Sequence, residues 1–504
     1  MDGGPRRLPP RWLPFLALAA GATLPFAYAP FDHFWLAPVA VAALFWIWAA
    51  ATPREAFWSG LCFGIGWFSI GTYWTYISVR QFGGAPIVLS VAATFGLVLI
   101  LASFFAVAGW AAARWLPLGG PRGRALTLPA VWVLAEWCRG WVFTGFGWLA
   151  VGYSQTDSWL MGWSPVFGLQ GMNLAVAVTA GMVLGCIYGD SAERRRSIAV
   201  LFALWAGGAL LTGWQWTQPK ARLVTVALAQ GAIGQDLKWN PALYAQTLDT
   251  YRELTLRGAG KDIIVWPEVA IPNLYSAASD YLDEIRALAA SRGSNVLLGI
   301  LDRPEGTIEP QNVLVALTEP PQFYVKRHLV PFGEYFPVPG FAREWLRLLD
   351  LPYNDLSPGD DDQPLLDIAG ERIAVTICYE DVFGSEQIGF LPEASLLVNV
   401  SNDAWFGDSI AADQHLQIAR MRAAEAGRYM LRATNTGISA VIDPRGHVAS
   451  RAPEFEAALI EDSVQGFTGR TPYALWRDYP VLALVFVVIA AQLATTRLTI
   501  RPRT

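Results

Sequence analysis

The chain has 504 residues, of which 53% are hydrophobic and only 16% charged, so it is too apolar for an ordinary soluble enzyme and long enough for two or three domains. A formal net charge of −5, with no stripe of Lys or Arg, leaves no electrostatic footprint for nucleic acid. The four cysteines form neither a disulfide framework nor a paired-Cys metal site; Cys62, Cys138 and Cys186 lie in apolar runs as small buried hydrophobes, and Cys378 stands apart.

Taken in order, Arg6, Arg7 and Arg11 precede an apolar stretch from Trp12 to Ala29. Ala27-Tyr28-Ala29 has the form of a signal-peptidase site, but Pro30 follows it and more apolar runs come next, so an uncleaved first helix is expected. Further candidate spans lie at 33–51, 56–79, 86–112, 126–150, 163–188, 198–217 and 479–496, each near the length a bilayer demands. Arginines mark every second exit: Arg6, Arg7 and Arg11; Arg54; Arg114, Arg122 and Arg124; Arg194, Arg195 and Arg196; then Arg497, Arg501 and Arg503. This alternation predicts a bundle of about seven transmembrane helices over 1–218, a globular domain on the outer face over 219–472, and over 473–504 a last helix with a cytoplasmic tail. Within the span 126–150, Glu136 and Arg139 share a helix face, which is compatible with a lipid-headgroup or positioning role or with a structural ion pair near the interface.

The polar part alternates strands and helices. Strands are predicted at Arg222 to Gln230, from Lys261 toward Glu268, at Asn295 to Leu301, Asn312 to Leu317, Phe323 to Phe336, Ile373 to Cys378, Ala394 to Val400, Ile438 to Ile442 and Ala457 to Ile460. Helices are predicted at Pro241 to Leu256, capped by Asn240, at Asp280 to Arg292 and at Ala412 to Met430. Interleaving of this kind specifies an α/β layered domain with strands buried on both faces.

Three of these strand-like segments end in chemically apt residues: Glu268 in WPEVA, Lys326 in FYVKRHLVPFGEYF and Cys378 in IAVTICYEDVF. A cysteine is nucleophilic as the thiolate, so it needs a base and a cation nearby, and side chains at the same ends of neighbouring strands can converge. The ordered Glu, Lys and Cys resemble the nitrilase (carbon-nitrogen hydrolase) superfamily. WPEVA, KRHLVPFGEYFP, ICYEDVF and SNDAWFG are similar to its membrane-embedded branch, the apolipoprotein N-acyltransferase family, over essentially the whole chain.

That resemblance implies a multi-span helical membrane bundle joined to an α-β-β-α sandwich, with Glu268 as base, Lys326 as oxyanion stabiliser and Cys378 as nucleophile. Glu334 and Glu380 are then supporting residues that orient the lysine and the base, and the N–H after Cys378 is a second oxyanion donor. Trp239, Tyr379, Trp405 and Phe406 are candidate substrate contacts, with core packing as the alternative for each. The implied activity is a ping-pong transfer of an acyl chain from a phospholipid, through a thioester, to the α-amino group of a diacylated apolipoprotein. The implied setting is a monomer in the bacterial inner membrane, its catalytic domain periplasmic and both termini cytoplasmic. No cofactor is called for, and no H-E-x-x-H or paired-Cys spacing offers a metal site. The same triad would serve a membrane-tethered amidase with water as acceptor. A lipid-binding protein that retains the fold without activity is the third alternative. Neither His328 nor His415 is paired with Cys378 by any feature of the sequence.

Overall fold

The computed structural model describes residues 9–335 and 355–500. Arg6, Arg7, Arg501, Arg503 and Phe336 lie outside the described residues. The chain divides into two compact units, one of residues up to Tyr76, Pro86–Trp214 and those from Trp476 on, the other of Ile77–Ala85 and Gln215–Leu475.

The first unit is helical. Its longer helices are Leu13–Thr23, Leu36–Trp48, Pro53–Gly71, Ile87–Trp115, Leu128–Arg139, Ser164–Tyr188, Ser191–Thr212 and Tyr479–Ile500. Among the described residues, four stretches are long and apolar enough to cross a membrane: Ile87–Trp115, Trp159–Tyr188, Ser191–Thr212 and Tyr479–Thr496. Leu13–Ala27 and Leu36–Trp48 are apolar but shorter. Small residues let backbones meet; a Cβ on Gly64 would lie 2.5 Å from the Cα of Ala102, so the helices Pro53–Gly71 and Ile87–Trp115 touch main chain to main chain. Aromatic rings fill the space beside them, with Trp67 stacked on Phe68 and on Trp132 at centroid distances of 4.5 and 5.9 Å.

Two of the expected spans are interrupted. The run 56–79 leaves the α-helix at Gly71 and continues as the short helix Trp74–Ile77 and a π-helical turn, Ser78–Phe82. The run 126–150 stops at Arg139, because the Arg139 guanidinium donates to the carbonyls of Phe146 and, at 2.7 Å, Trp148, folding the glycine-rich segment back on the helix end. Hydropathy alone does not register such a reversal.

The second unit holds two six-stranded sheets. In chain order the strands are β1 (Gln218–Gln230), β2 (Ile263–Val265), β3 (Asn295–Asp302), β4 (Gln311–Ala316), β5 (Gln322–Val325), β6 (Leu366–Ile368), β7 (Glu371–Ile377), β8 (Leu396–Ser401), β9 (Met430–Thr434), β10 (Ala440–Ile442), β11 (Val448–Arg451) and β12 (Ala458–Thr468). One sheet runs β12-β1-β2-β3-β4-β5 and the other β11-β10-β9-β8-β7-β6. The central pairings β1–β2, β2–β3, β7–β8 and β8–β9 are parallel and the outer ones antiparallel.

Three apolar cores separate four layers. Val226, Leu228, Val265, Val375, Ile377 and Val398 belong to the core between the sheets. Ile264, Leu298 and Trp266 pack against Tyr251, Leu254 and Ile285 of the helices Tyr244–Gly258 and Ser279–Ala290. Ala374, Leu397 and Ile442 pack against Leu416, Ala419 and Ala423 of the helix Ala411–Ala426. This is the α-β-β-α sandwich, its strands buried on both faces.

Candidate active site

Cys378 is the first residue after β7, at φ 54°. A side chain in this left-handed region costs about 1 kcal/mol, so neighbouring contacts must hold the turn. Glu380 supplies several of them. Its Oε2 accepts from the N–H of Ile377 at 2.7 Å and the hydroxyl of Tyr324 at 3.0 Å; its Oε1 accepts from the N–H groups of Arg327 at 2.7 Å and His328 at 3.2 Å. Burial raises the Glu380 pKa, and these hydrogen bonds oppose the rise. Glu380 therefore staples the end of β7 to the segment that follows β5, and it serves Lys326 through main chain rather than by a direct hydrogen bond.

The position of Glu268 depends on a glycine. β2 ends at Val265, and the turn that follows presses on β3, where a Cβ on Gly299 would fall 2.6 Å from the Cα of Glu268 and from the carbonyl of Pro267. Only glycine permits that approach. Lys326 follows β5, and its N–H donates to the carbonyl of Asn312 at 2.8 Å, which extends the β4–β5 ladder by one pair. Side chains opposite one another in a ladder share a face, so Asn312 and Lys326 point the same way. Both reach Glu268. Lys326 Nζ lies 3.2 Å from Glu268 Oε1 and 2.7 Å from Glu334 Oε1, while Asn312 Nδ2 donates to Glu268 Oε1 at 2.7 Å and to Glu334 Oε1 at 3.3 Å. Glu334 is itself fixed by the N–H of Val330, which donates to Oε2 at 2.7 Å.

Burial works against the Lys326 ammonium, yet Glu268, Glu334 and Cys378 together hold its pKa well above the ordinary lysine value. At the sulfur the balance runs the other way. Burial pushes the Cys378 thiol up, the Glu268 carboxylate adds to the rise, and Lys326 and a hydrogen bond with Ser401 only partly offset it. A thiol held protonated beside a carboxylate and a permanent cation is suited to losing its proton to that carboxylate as it attacks, with the cation ready for the oxygen that becomes negative.

The structure thus brings Glu268, Lys326 and Glu334 into one bonded cluster whose charges reach Cys378. Tyr379 is buried beside Cys378, its ring 5.4 Å from that of Phe383. Trp239 and Trp405, 51% and 42% exposed, stand on two turns joined by a hydrogen bond from Asn402 Nδ2 to Gln235 Oε1 at 2.8 Å. Phe406 is half-buried beside Trp405; the Trp405 carbonyl accepts from Ser78 Oγ at 2.6 Å and its ring meets Phe82 edge-on. Two residues escape a reading of the sequence. Asn312 is signalled only by being a polar side chain that opens an apolar strand, and His415, on the helix Ala411–Ala426, meets the main chain of Cys378 rather than its sulfur. Among the described residues, no group of three or more His, Cys, Asp or Glu side chains is placed to hold a metal ion.

The profile of the apolipoprotein N-acyltransferase N-terminal domain matches residues 20–182, and that of carbon-nitrogen hydrolases matches residues 225–473. The chain is 41% identical to the apolipoprotein N-acyltransferase of Methylococcus capsulatus, over 96% of each chain. It is 42% identical to that of Nitrosomonas europaea, over 94% of this chain and 96% of the relative. Among solved structures, a CN-hydrolase superfamily protein from Xanthomonas campestris aligns with 53% of this chain and 97% of its own, at 20% identity and a TM-score of 0.37. Identity of about two residues in five, sustained from the apolar helices through the sandwich, shows that this membrane protein belongs to the apolipoprotein N-acyltransferase family.

Proposed function

We propose that the protein moves an acyl chain from a membrane phospholipid to the α-amino group of the S-diacylglyceryl-cysteine of an apolipoprotein, through a thioester on Cys378. The observation that carries this reading is the Lys326 ammonium bridging Glu268 and Glu334 within reach of a half-buried thiol at a left-handed strand end. Glu268 takes the thiol proton while sulfur attacks the ester carbonyl of the donor. Lys326 and the N–H of Tyr379 stabilise the oxyanion, each such donor being worth about 3 kcal/mol. Collapse expels the lysophospholipid as an alcohol, which receives the proton from Glu268. In the second half the amine attacks the thioester, its proton passes to Glu268, and Cys378 leaves as the thiol.

In this reading 1–218 is the transmembrane bundle, 219–472 the periplasmic catalytic domain and 473–504 the returning helix and tail, in a monomer of the inner membrane. The arginine-bearing loops support the orientation, since Arg124 is ion-paired with Glu193 at 2.7 Å, and a Cβ on Gly119 would lie 3.3 Å from the Ala49 carbonyl, so three such loops gather at one end of the helical unit. Trp239, Tyr379, Trp405 and Phe406 are assigned to substrate contact. The test is mass spectrometry of purified protein mixed with phospholipid and no acceptor: an acyl mass on the peptide bearing Cys378 is expected, and its absence together with release of free fatty acid would replace the transferase by a hydrolase.

A further inference from the structure

His415 lies fully buried on the helix Ala411–Ala426, with Nδ1 2.8 Å from Asp403 Oδ1 and Nε2 3.3 Å from the carbonyl oxygen of Cys378. Asp403 has no proton to lend. Its Oδ1 accepts from the Ser401 hydroxyl at 2.8 Å and its Oδ2 from Arg432 Nη2 at 2.9 Å. Burial opposes its charge, but His415 and Arg432 outweigh burial and bring its pKa down to about 2. Asp381 also faces this charge cluster, 3.5 Å from Arg432 Nη1 and within the influence of His415 and Arg422. A carbonyl oxygen, for its part, only accepts. A neutral imidazole carries one N–H and would turn a bare nitrogen toward one of the two oxygens, so both contacts require a hydrogen on each ring nitrogen.

The Cys378 carbonyl shares a planar trans peptide with the N–H of Tyr379, and the two point in opposite directions. Holding the oxygen therefore aims the N–H, and a cation on the oxygen polarises the amide into a stronger donor. We infer that His415 acts as a buried imidazolium that fixes and polarises the Cys378–Tyr379 peptide, making it a positioning residue for the main-chain half of the oxyanion site. The inference rests on the acyl-transfer reading of Cys378 given above.

The test compares two reactions of one sulfur in the purified full-length protein. Acylation by p-nitrophenyl octanoate passes through a tetrahedral oxyanion; alkylation by iodoacetamide displaces iodide and forms none. In H415Q, which carries no positive charge, single-turnover acylation should fall about 30- to 100-fold, less than outright loss of an oxyanion donor. Alkylation at the same pH should change less than about threefold, and H415K, which restores a cation, should recover much of the acylation rate. If H415Q no longer melts cooperatively, D403N carries the same comparison, because it removes the anion that holds the second ring proton. Equal losses in both reactions, or a loss in neither, would overturn the assignment. If wild type takes no acyl chain from phospholipid while the ester result holds, the phospholipid reading falls and the role of His415 stands.

Discussion

The two units each bury an ion-pair cluster, and the clusters are built on opposite plans. In the helical unit, Arg139 gives Nε and Nη2 to Glu136 Oε2 and Nη1 to the carbonyls of Phe146 and Trp148, while Glu136 Oε1 accepts from the N–H of Val151 at 3.1 Å. Those charges are spent on closing a loop. In the sandwich, Lys326 is shared between Glu268 and Glu334, and the charges of Glu268 and Lys326 both act on the sulfur of Cys378. A buried charge inside a membrane protein invites a functional reading, and the comparison shows what decides the matter: whether its partners are main-chain groups it must satisfy or a group that can react.

The largest effects are expected where the cluster is open. Cys378→Ala should abolish the acyl mass on its peptide. Lys326→Met removes the cation proposed for the oxyanion and leaves two carboxylates facing each other, so single-turnover acylation should fall about a thousandfold. Glu268→Gln keeps an acceptor for Asn312 and Lys326 but takes no proton, and should slow both half-reactions about a hundredfold or more. An acylation rate in Lys326→Met within about tenfold of wild type would mean that the two clusters are not different in kind.

The closed cluster should respond in stability and hardly at all in chemistry. Arg139→Met strands the Glu136 carboxylate and two carbonyls, at a cost of about 3–5 kcal/mol seen as a lower Tm in detergent, while the folded fraction acylates within about threefold of wild type. Replacing both charges, as Glu136→Leu with Arg139→Met, should recover only part of the loss, because the Val151 N–H and the carbonyls still lack partners. A full recovery would show that the pair is merely a pair.

How much of this was legible before the structure follows from the same distinction. Glu268, Lys326 and Cys378 stood out because a strand end followed by polar residues is a local pattern. Asn312 did not, since its role arises from the β4–β5 register, which sets it opposite Lys326. His415 was visible as a helical residue, but its partners Asp403 and Cys378 come from other segments. The reversal after Arg139 escaped because hydropathy cannot distinguish a helix from an apolar segment whose carbonyls are captured by a guanidinium. The helix predicted to reach Met430 ends at Ala426, where Gly427 takes a left-handed C-cap and releases the chain into β9, a strand left unassigned along with the short β6 and β11.

A third buried charge lies between the two plans and yields the smallest prediction. Lys238 is 3% exposed, and its Nζ donates to the main-chain carbonyl of Glu268 at 3.3 Å. Burial lowers its pKa to about 8, with the attraction of Glu268 opposing the shift, so this ammonium is one the fold tolerates poorly. Between about pH 8 and the ordinary lysine value the unfolded chain holds a proton that the folded chain has released, so stability from this group rises with pH through that window and its cost is fully present below it. The gain in Tm from about pH 7.5 to about pH 9.5 should therefore be larger in wild type than in Lys238→Met, since methionine occupies a similar volume without the proton. Equal gains in the two proteins would mean that Lys238 keeps its charge in the fold, as Lys326 does, and that a main-chain carbonyl near a carboxylate is partner enough.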